Sequence, residues 1–157
     1  MNAQLKPQIT IQRETYSTAL IAEFEPLLKA HWLEIANYRD QVPYDPDFQK
    51  YCELDQTGML FCLTARVDGQ LVGYSVFYLT NSPHYKSTLF AINDVFYVDL
   101  AHRKGSIPMR LIRESERTAR SLGVKRLLWH VKPCNQMSEL LNRLGYAFEE
   151  QTMGRVL

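Results

Sequence analysis

A β-α-β signature between Asn93 and Val131 leaves few folds open to this chain. Val95-Phe96-Tyr97-Val98 is a short β-branched and aromatic run, which reads as a strand. A polar turn, Arg103-Lys104-Gly105-Ser106, follows it. Met109, Leu111, Ile112, Ser115, Ala119 and Leu122 then recur at steps of three and four, the period of an amphipathic helix. Arg110, Arg113, Arg117 and Arg120 fall on its other face. Pro108 suits the first helical position and Gly123 the residue just past the end. Val124 to Val131 supplies a second strand. The turn sets unpaired backbone N–H groups and cations at a helix N-terminus, where donors and dipole point the same way. Such a turn suits an anion of phosphate size. Every β-α-β unit has a turn of this kind, so a purely structural role stands beside the binding one.

The residues of the turn carry a resemblance. Val98-Asp99-Leu100-Ala101-His102-Arg103, continued by Lys104-Gly105-Ser106-Ile107-Pro108 and Leu111-Ile112, resembles the acyl-CoA-binding signature of the GNAT N-acetyltransferase superfamily. There a strand ending V-x-P-x-x-R/Q leads into R/Q-x-x-G-x-G/A and an apolar helix. Val98, Arg103 and Leu111-Ile112 match. Ser106 and Pro108 stand where glycine and glycine or alanine are usual, with Gly105 one place early. Proline has no N–H to offer a pyrophosphate, and serine restricts a turn where glycine moves freely. The loop is therefore shifted by one residue or binds with one donor fewer. Leu71-Val72-Gly73-Tyr74 is similar to that family's third strand, and Leu140 to Leu144 with Gly145-Tyr146 to the end of its last helix. The chain also resembles a small group of such proteins carried by tailed bacteriophages, through its pairs His31-Trp32 and His84-Tyr85.

The resemblance implies acetyl-CoA as cosubstrate, no metal, and an amine acceptor that is a small molecule or a peptide. It places the pyrophosphate on Arg103, Lys104, Gly105, Ser106, Ile107 and Met109. The pantetheine arm would lie where the two strands of the central unit splay, against Phe96 and Val98. Asn135 stands near the position of a family asparagine that touches this arm, one residue short in its spacing to Gly145. It also implies a host bacterial cytoplasm for a phage-borne protein, and it leaves room for a homodimer.

The rest of the chain sets bounds. Its 157 residues suit a single domain, 1–157, with a proper core. Eighteen basic against seventeen acidic side chains give no global support to a nucleic-acid groove or a polybasic membrane patch. Cys52, Cys62 and Cys134 show no C-x-x-C spacing, so neither a disulfide framework nor a zinc site is suggested. No apolar run approaches the length of a membrane span, and a cytoplasmic location is expected.

In chain order, Ile9-Thr10-Ile11 reads as a strand, and the apolar pattern from Ser17 to Ala36 as a helix that Pro26 divides into two short segments. Asp45-Pro46 suits the cap and first turn of a further helix ending before Gly58. Met59 to Val67, Asp68-Gly69 and Leu71 to Thr80 read as a hairpin. Ser87 to Val98 forms the next strand, Gln136 to Leu144 a short helix, and Ala147 to Leu157 is mostly extended. These elements argue an α/β or α+β domain with a mixed sheet.

Acyl transfer to an amine needs positioning, a neutral acceptor and a proton for the departing thiolate. Asp94 is the leading base. Strand alternation puts it on one face with Phe96 and Val98, where apolar neighbours raise its pKa. Its bland alternative is a carboxylate accepting hydrogen bonds from a loop. His84 and Tyr85, where the chain enters that strand, are the second catalytic candidates, against a turn histidine and a core tyrosine. His31 and Tyr44 are candidates to line the acceptor pocket, and Trp32 fits the apolar stripe of the first helix. His130 lies on the strand after the central helix, where a histidine more often satisfies a carbonyl. Many members of the resembled family supply the thiolate's proton from a tyrosine that is Leu141 here, and Tyr146 reads as core. Arg103, its helix and Asp94 favour an N-acetyltransferase. Pro108 and Leu141 favour a binding or regulatory module that keeps the fold and holds CoA without turning it over.

Overall fold

A computed structural model describes residues 6–132 and 136–157 of the protein. Five strands form one sheet in sequence order: β1 (Ile9–Arg13), β2 (Leu60–Val67), β3 (Gln70–Asn81), β4 (Leu89–Val98) and β5 (Arg126–Leu128). The first three pairings are antiparallel and β4 pairs β5 in parallel, so the sheet is mixed. The β2–β3 connection is the expected Asp68-Gly69 turn. Both residues take positive φ, 50° and 86°, which a two-residue hairpin turn with the right twist requires.

Helices cover both faces. On one, α3 (Ile107–Ser121) buries Leu111 and Ala119 against Phe61, Leu63, Phe77, Leu79 and Ala91. A hydroxyl pair, Ser75 with Ser115 at 3.1 Å, ties β3 to α3 inside this layer. On the other face, α1 (Thr18–Ile35) and α2 (Phe48–Gln56) lie over Leu60, Cys62, Tyr74, Val76 and Tyr97. Leu20 and Phe24 of α1 are the anchors there, both buried.

Several expectations are corrected. Pro26 does not divide α1, which runs unbroken from Thr18 to Ile35 behind a Ser17 N-cap that accepts from the Leu20 N–H at 3.2 Å. Proline forfeits one hydrogen bond, a loss that burial of Leu20 and Phe24 on the same helix outweighs. Asp47, not Asp45, caps α2, accepting from the Lys50 N–H at 2.9 Å. The last strand is three residues long instead of eight. In the first helix it is His31, not Trp32, that faces the core, at 8% exposure. Adjacent helical residues point about 100° apart, so turning one inward leaves the other toward the loop.

The correction with the largest consequence lies in β4. Val76 pairs Val95 but Phe77 pairs Asn93, so Asp94 is the extra residue of a β-bulge. A one-residue insertion reverses which side chains face which layer. Leu89, Ala91, Phe96 and Val98 pack on the α3 side, whereas Val95 and Tyr97 pack on the α1–α2 side. Asp94 points the second way, away from Phe96 and Val98. Asn93, 2% exposed, holds the bulge by donating from Nδ2 to the carbonyls of Val76 (3.1 Å) and Val95 (3.2 Å).

Candidate active site

The bulge sits where the sheet opens. The parallel ladder holds for three pairs, Phe90 with Arg126, Ala91 with Leu127 and Ile92 with Leu128, and ends one residue before it. From there β4 and the segment after β5 part, which is the splay expected of the central unit. Phe96 and Trp129 touch edge to face, with ring centroids 5.6 Å apart.

Asp94 is partly buried on the α1–α2 face. The Tyr51 hydroxyl of α2 donates to its Oδ2 at 2.5 Å. Burial raises the Asp94 pKa above the ordinary carboxylate value, while the hydroxyls of Tyr51 and Tyr78 and the nearby His130 act against that rise. A carboxylate in this setting is a stronger base than one in water.

Beside it runs a second polar group. His31 Nδ1 lies 3.1 Å from the Tyr74 hydroxyl, and its ring stacks on Tyr97 with centroids 5.0 Å apart. Burial lowers the His31 pKa to about 4; Glu34 pulls it up, and Arg103 and Lys132 push it further down. The folded protein thus binds fewer protons at His31 than the unfolded chain between about pH 6.5 and 4, and stability falls as pH drops through that window. Urea midpoints measured from pH 7 to 4 should decline in wild type. His31→Gln should remove the part of that decline lying between 6.5 and 4; an unchanged profile would show that His31 protonates freely. Tyr44 packs its ring on Trp32 at 6.0 Å, and its buried hydroxyl has no hydrogen-bond partner among the described residues.

The donor side is the turn after β4. Residues 100–102 form a short 3-10 turn, and α3 begins at Ile107 behind Ser106, with Pro108 in its first two positions. Lys104, Gly105 and Ser106 are exposed, and Ile107 is buried. A side chain on Gly105 would meet nothing closer than the His102 carbonyl at 3.9 Å, so the backbone there is open to a close ligand. Arg103 is not free. Its Nε donates to the Val98 carbonyl at 2.6 Å, and Nη1 and Nη2 grip both oxygens of Glu34 at 2.7 and 2.6 Å. Its guanidinium lies 5.0 Å from the centre of the Tyr97 ring.

His84 and Tyr85 are not brought to this place. Both are exposed in the β3–β4 turn, Tyr85 at 59%, and the start of β4 lies five residues, roughly 16 Å at 3.3 Å per residue, before Asp94. Leu141 is buried in α4 (Gln136–Arg143) and offers no proton, and the Tyr146 hydroxyl donates to Glu116 at 2.7 Å. Asn135 lies outside the described residues. Sequence reasoning missed Tyr51, Tyr78 and Glu34. The alternation Tyr74-Val76-Tyr78 on β3 would have put two tyrosines on one face; nothing local marks Tyr51 or Glu34, whose partners are 43 and 69 residues away.

Residues 19–146 match the model of the acetyltransferase (GNAT) family. Among curated proteins none matches the chain by sequence. Its fold is similar to that of a ribosomal-protein-alanine N-acetyltransferase from Brucella melitensis biovar Abortus 2308, at 23% identity and TM-score 0.68, over 96% of this chain and 99% of that one. It is also similar to the aminoglycoside N-acetyltransferase AAC(6')-Iy in complex with CoA, at 16% identity and TM-score 0.75, over 99% of both chains. A predicted acetyltransferase with acetyl-CoA from Clostridium acetobutylicum is 8% identical, with TM-score 0.74 over 95% of this chain and 96% of that one.

Proposed function

Because the chain belongs to the acetyltransferase (GNAT) family, we propose that it is an acetyl-CoA-dependent N-acetyltransferase that acetylates a cationic primary amine, with Asp94 as the general base. The observation that carries this reading is the half-buried Asp94 carboxylate, held by Tyr51 at the bulge where β4 and β5 part. An ammonium entering beside Asp94 meets a half-buried carboxylate, whose charge attracts it. Asp94 takes a proton from it, and the neutral nitrogen attacks the thioester carbonyl. A C–N bond forms, the C–S bond breaks, the nitrogen sheds its second proton to water, and the CoA thiolate leaves and takes a proton. With Leu141 buried, that last proton comes from water; a free thiol has a pKa of about 8.5, so its thiolate departs without much help. The fold neighbours acting on ribosomal-protein alanine and on aminoglycosides are compatible with either a peptide or a small-molecule amine.

On the donor side, the backbone N–H groups of Gly105, Ser106, Ile107 and Met109, with Lys104 and Arg103, would hold the diphosphate at the α3 N-terminus. Pro108 supplies no N–H there, so this cradle works with one donor fewer. The pantetheine arm would enter the splay beside Phe96 and Val98. Tyr44, whose hydroxyl has no partner among the described residues, and His31 would line the acceptor side. The whole chain acts as one domain in this reading, and the two His-aromatic pairs support kinship with phage-borne members working in a host cytoplasm.

The test is release of free CoA from acetyl-CoA with a panel of polyamines, aminoglycosides, lysine peptides and N-terminal peptides. Acceptor-dependent release is expected, with kcat rising as Asp94 ionises at a pH above the ordinary carboxylate range and no alkaline fall of the kind a tyrosine acid on α4 would give. Acetyl-CoA binding without release for any amine would replace this reading with that of a binding module.

A further inference from the structure

The end of α1 bridges the mouth of the splay. From one side, Arg103 of the donor turn grips Glu34 through both Nη atoms. From the other, Lys132 after β5 donates to the Ile35 carbonyl and approaches Asn37 Oδ1 at 3.3 Å. Of the two links, only the first uses a group the donor site needs. Arg103 has five N–H bonds, of which Val98 and Glu34 take three, and the Glu34 carboxylate cancels its charge. A diphosphate approaching this turn therefore meets a neutral pair. Glu34 is 41% exposed and Arg103 26%, so the pair is reachable and only moderately strong.

We infer that Glu34 is a positioning residue of the donor site: it latches Arg103 in the unloaded enzyme, and the diphosphate of acetyl-CoA must take the guanidinium from it. This rests on the donor reading given above. A latch of this kind lowers apparent affinity by the fraction of time Arg103 is held, and releasing it removes one of the two links on the end of α1, three residues beyond His31. Donor binding is thereby felt on the acceptor side.

Calorimetric titration of CoA, and of pantetheine, which lacks the diphosphate, into wild type and Glu34→Gln tests this. CoA should bind Glu34→Gln roughly threefold to tenfold more tightly, pantetheine equally well, and the gain should vanish in an Arg103→Gln background. A second measurement needs no variant. The Glu34 carboxyl resonance, followed by carbon NMR in wild type, should shift on adding CoA and stay in place on adding pantetheine. Equal or weaker CoA binding by folded Glu34→Gln, or a Glu34 signal indifferent to CoA, would overturn the latch while leaving the donor site intact. Failure of CoA to bind either protein would overturn the donor reading and the latch with it.

Discussion

Asp94→Asn is expected to lower turnover by about 10²–10⁴-fold, the range a positioned general base contributes, while acetyl-CoA affinity changes little. Asparagine keeps the shape and can still accept from the Tyr51 hydroxyl, so the bulge and its partners have no reason to move. What disappears is the group that removes a proton from the entering ammonium. The loss should therefore appear in kcat with any acceptor the enzyme uses, and the acid limb of the pH profile should flatten, because that limb is the titration of Asp94. Steady-state rates and CoA titrations on the same preparations decide the matter. A variant that keeps its rate returns Asp94 to the role of a structural acceptor, and one that loses its melting transition does the same by another route. Tyr51→Phe is the companion change: with the donor gone, the Asp94 pKa should rise further, moving the acid limb to higher pH.

The largest loss of stability is expected from Phe24→Ala. Phe24 is fully buried, stacks on Tyr74 with centroids 4.7 Å apart and lies 5.7 Å from Tyr16. Phenylalanine-to-alanine changes in cores of this kind cost about 3–5 kcal/mol, through lost transfer energy and the cavity left behind. The same ring backs Tyr74, whose hydroxyl meets His31, so the damage should reach the polar side of the layer as well. Urea unfolding of wild type and variant gives the number. A cost under about 1 kcal/mol would mean that α1 is held by contacts other than this one.

Much of the architecture was legible in the sequence, for physical reasons that differ by element. The turn Asp68-Gly69 and the arginine-faced helix after Pro108 announce themselves through local chemistry, and the structure places both as expected. The β4 faces could not be read, because alternation assumes one residue per rung and the extra residue at Asp94 is fixed by Asn93 reaching the Val76 and Val95 carbonyls. The length of β5 was overestimated for a related reason. Val124 to Val131 has strand-like composition, but a strand exists only where a neighbour pairs with it, and β4 turns away after Ile92. Arg103 was readable as a cation near the donor turn. Its commitment to Glu34 was not, since a salt bridge spanning 69 residues leaves no mark in local pattern.

The unbroken α1 has one further consequence. Pro26 has no N–H to give the carbonyl one turn back, so the helix carries a missing rung near its middle. Before that rung lie Leu20 and Phe24, sunk in the core; after it lie His31 and Glu34. Local opening costs least where a backbone bond is already absent, so this rung is the weakest point of α1. A residue that reads as a helix breaker thus marks the weakest point of α1 without ending it, because buried side chains hold the helix on both sides, Leu20 and Phe24 before it and His31 after it.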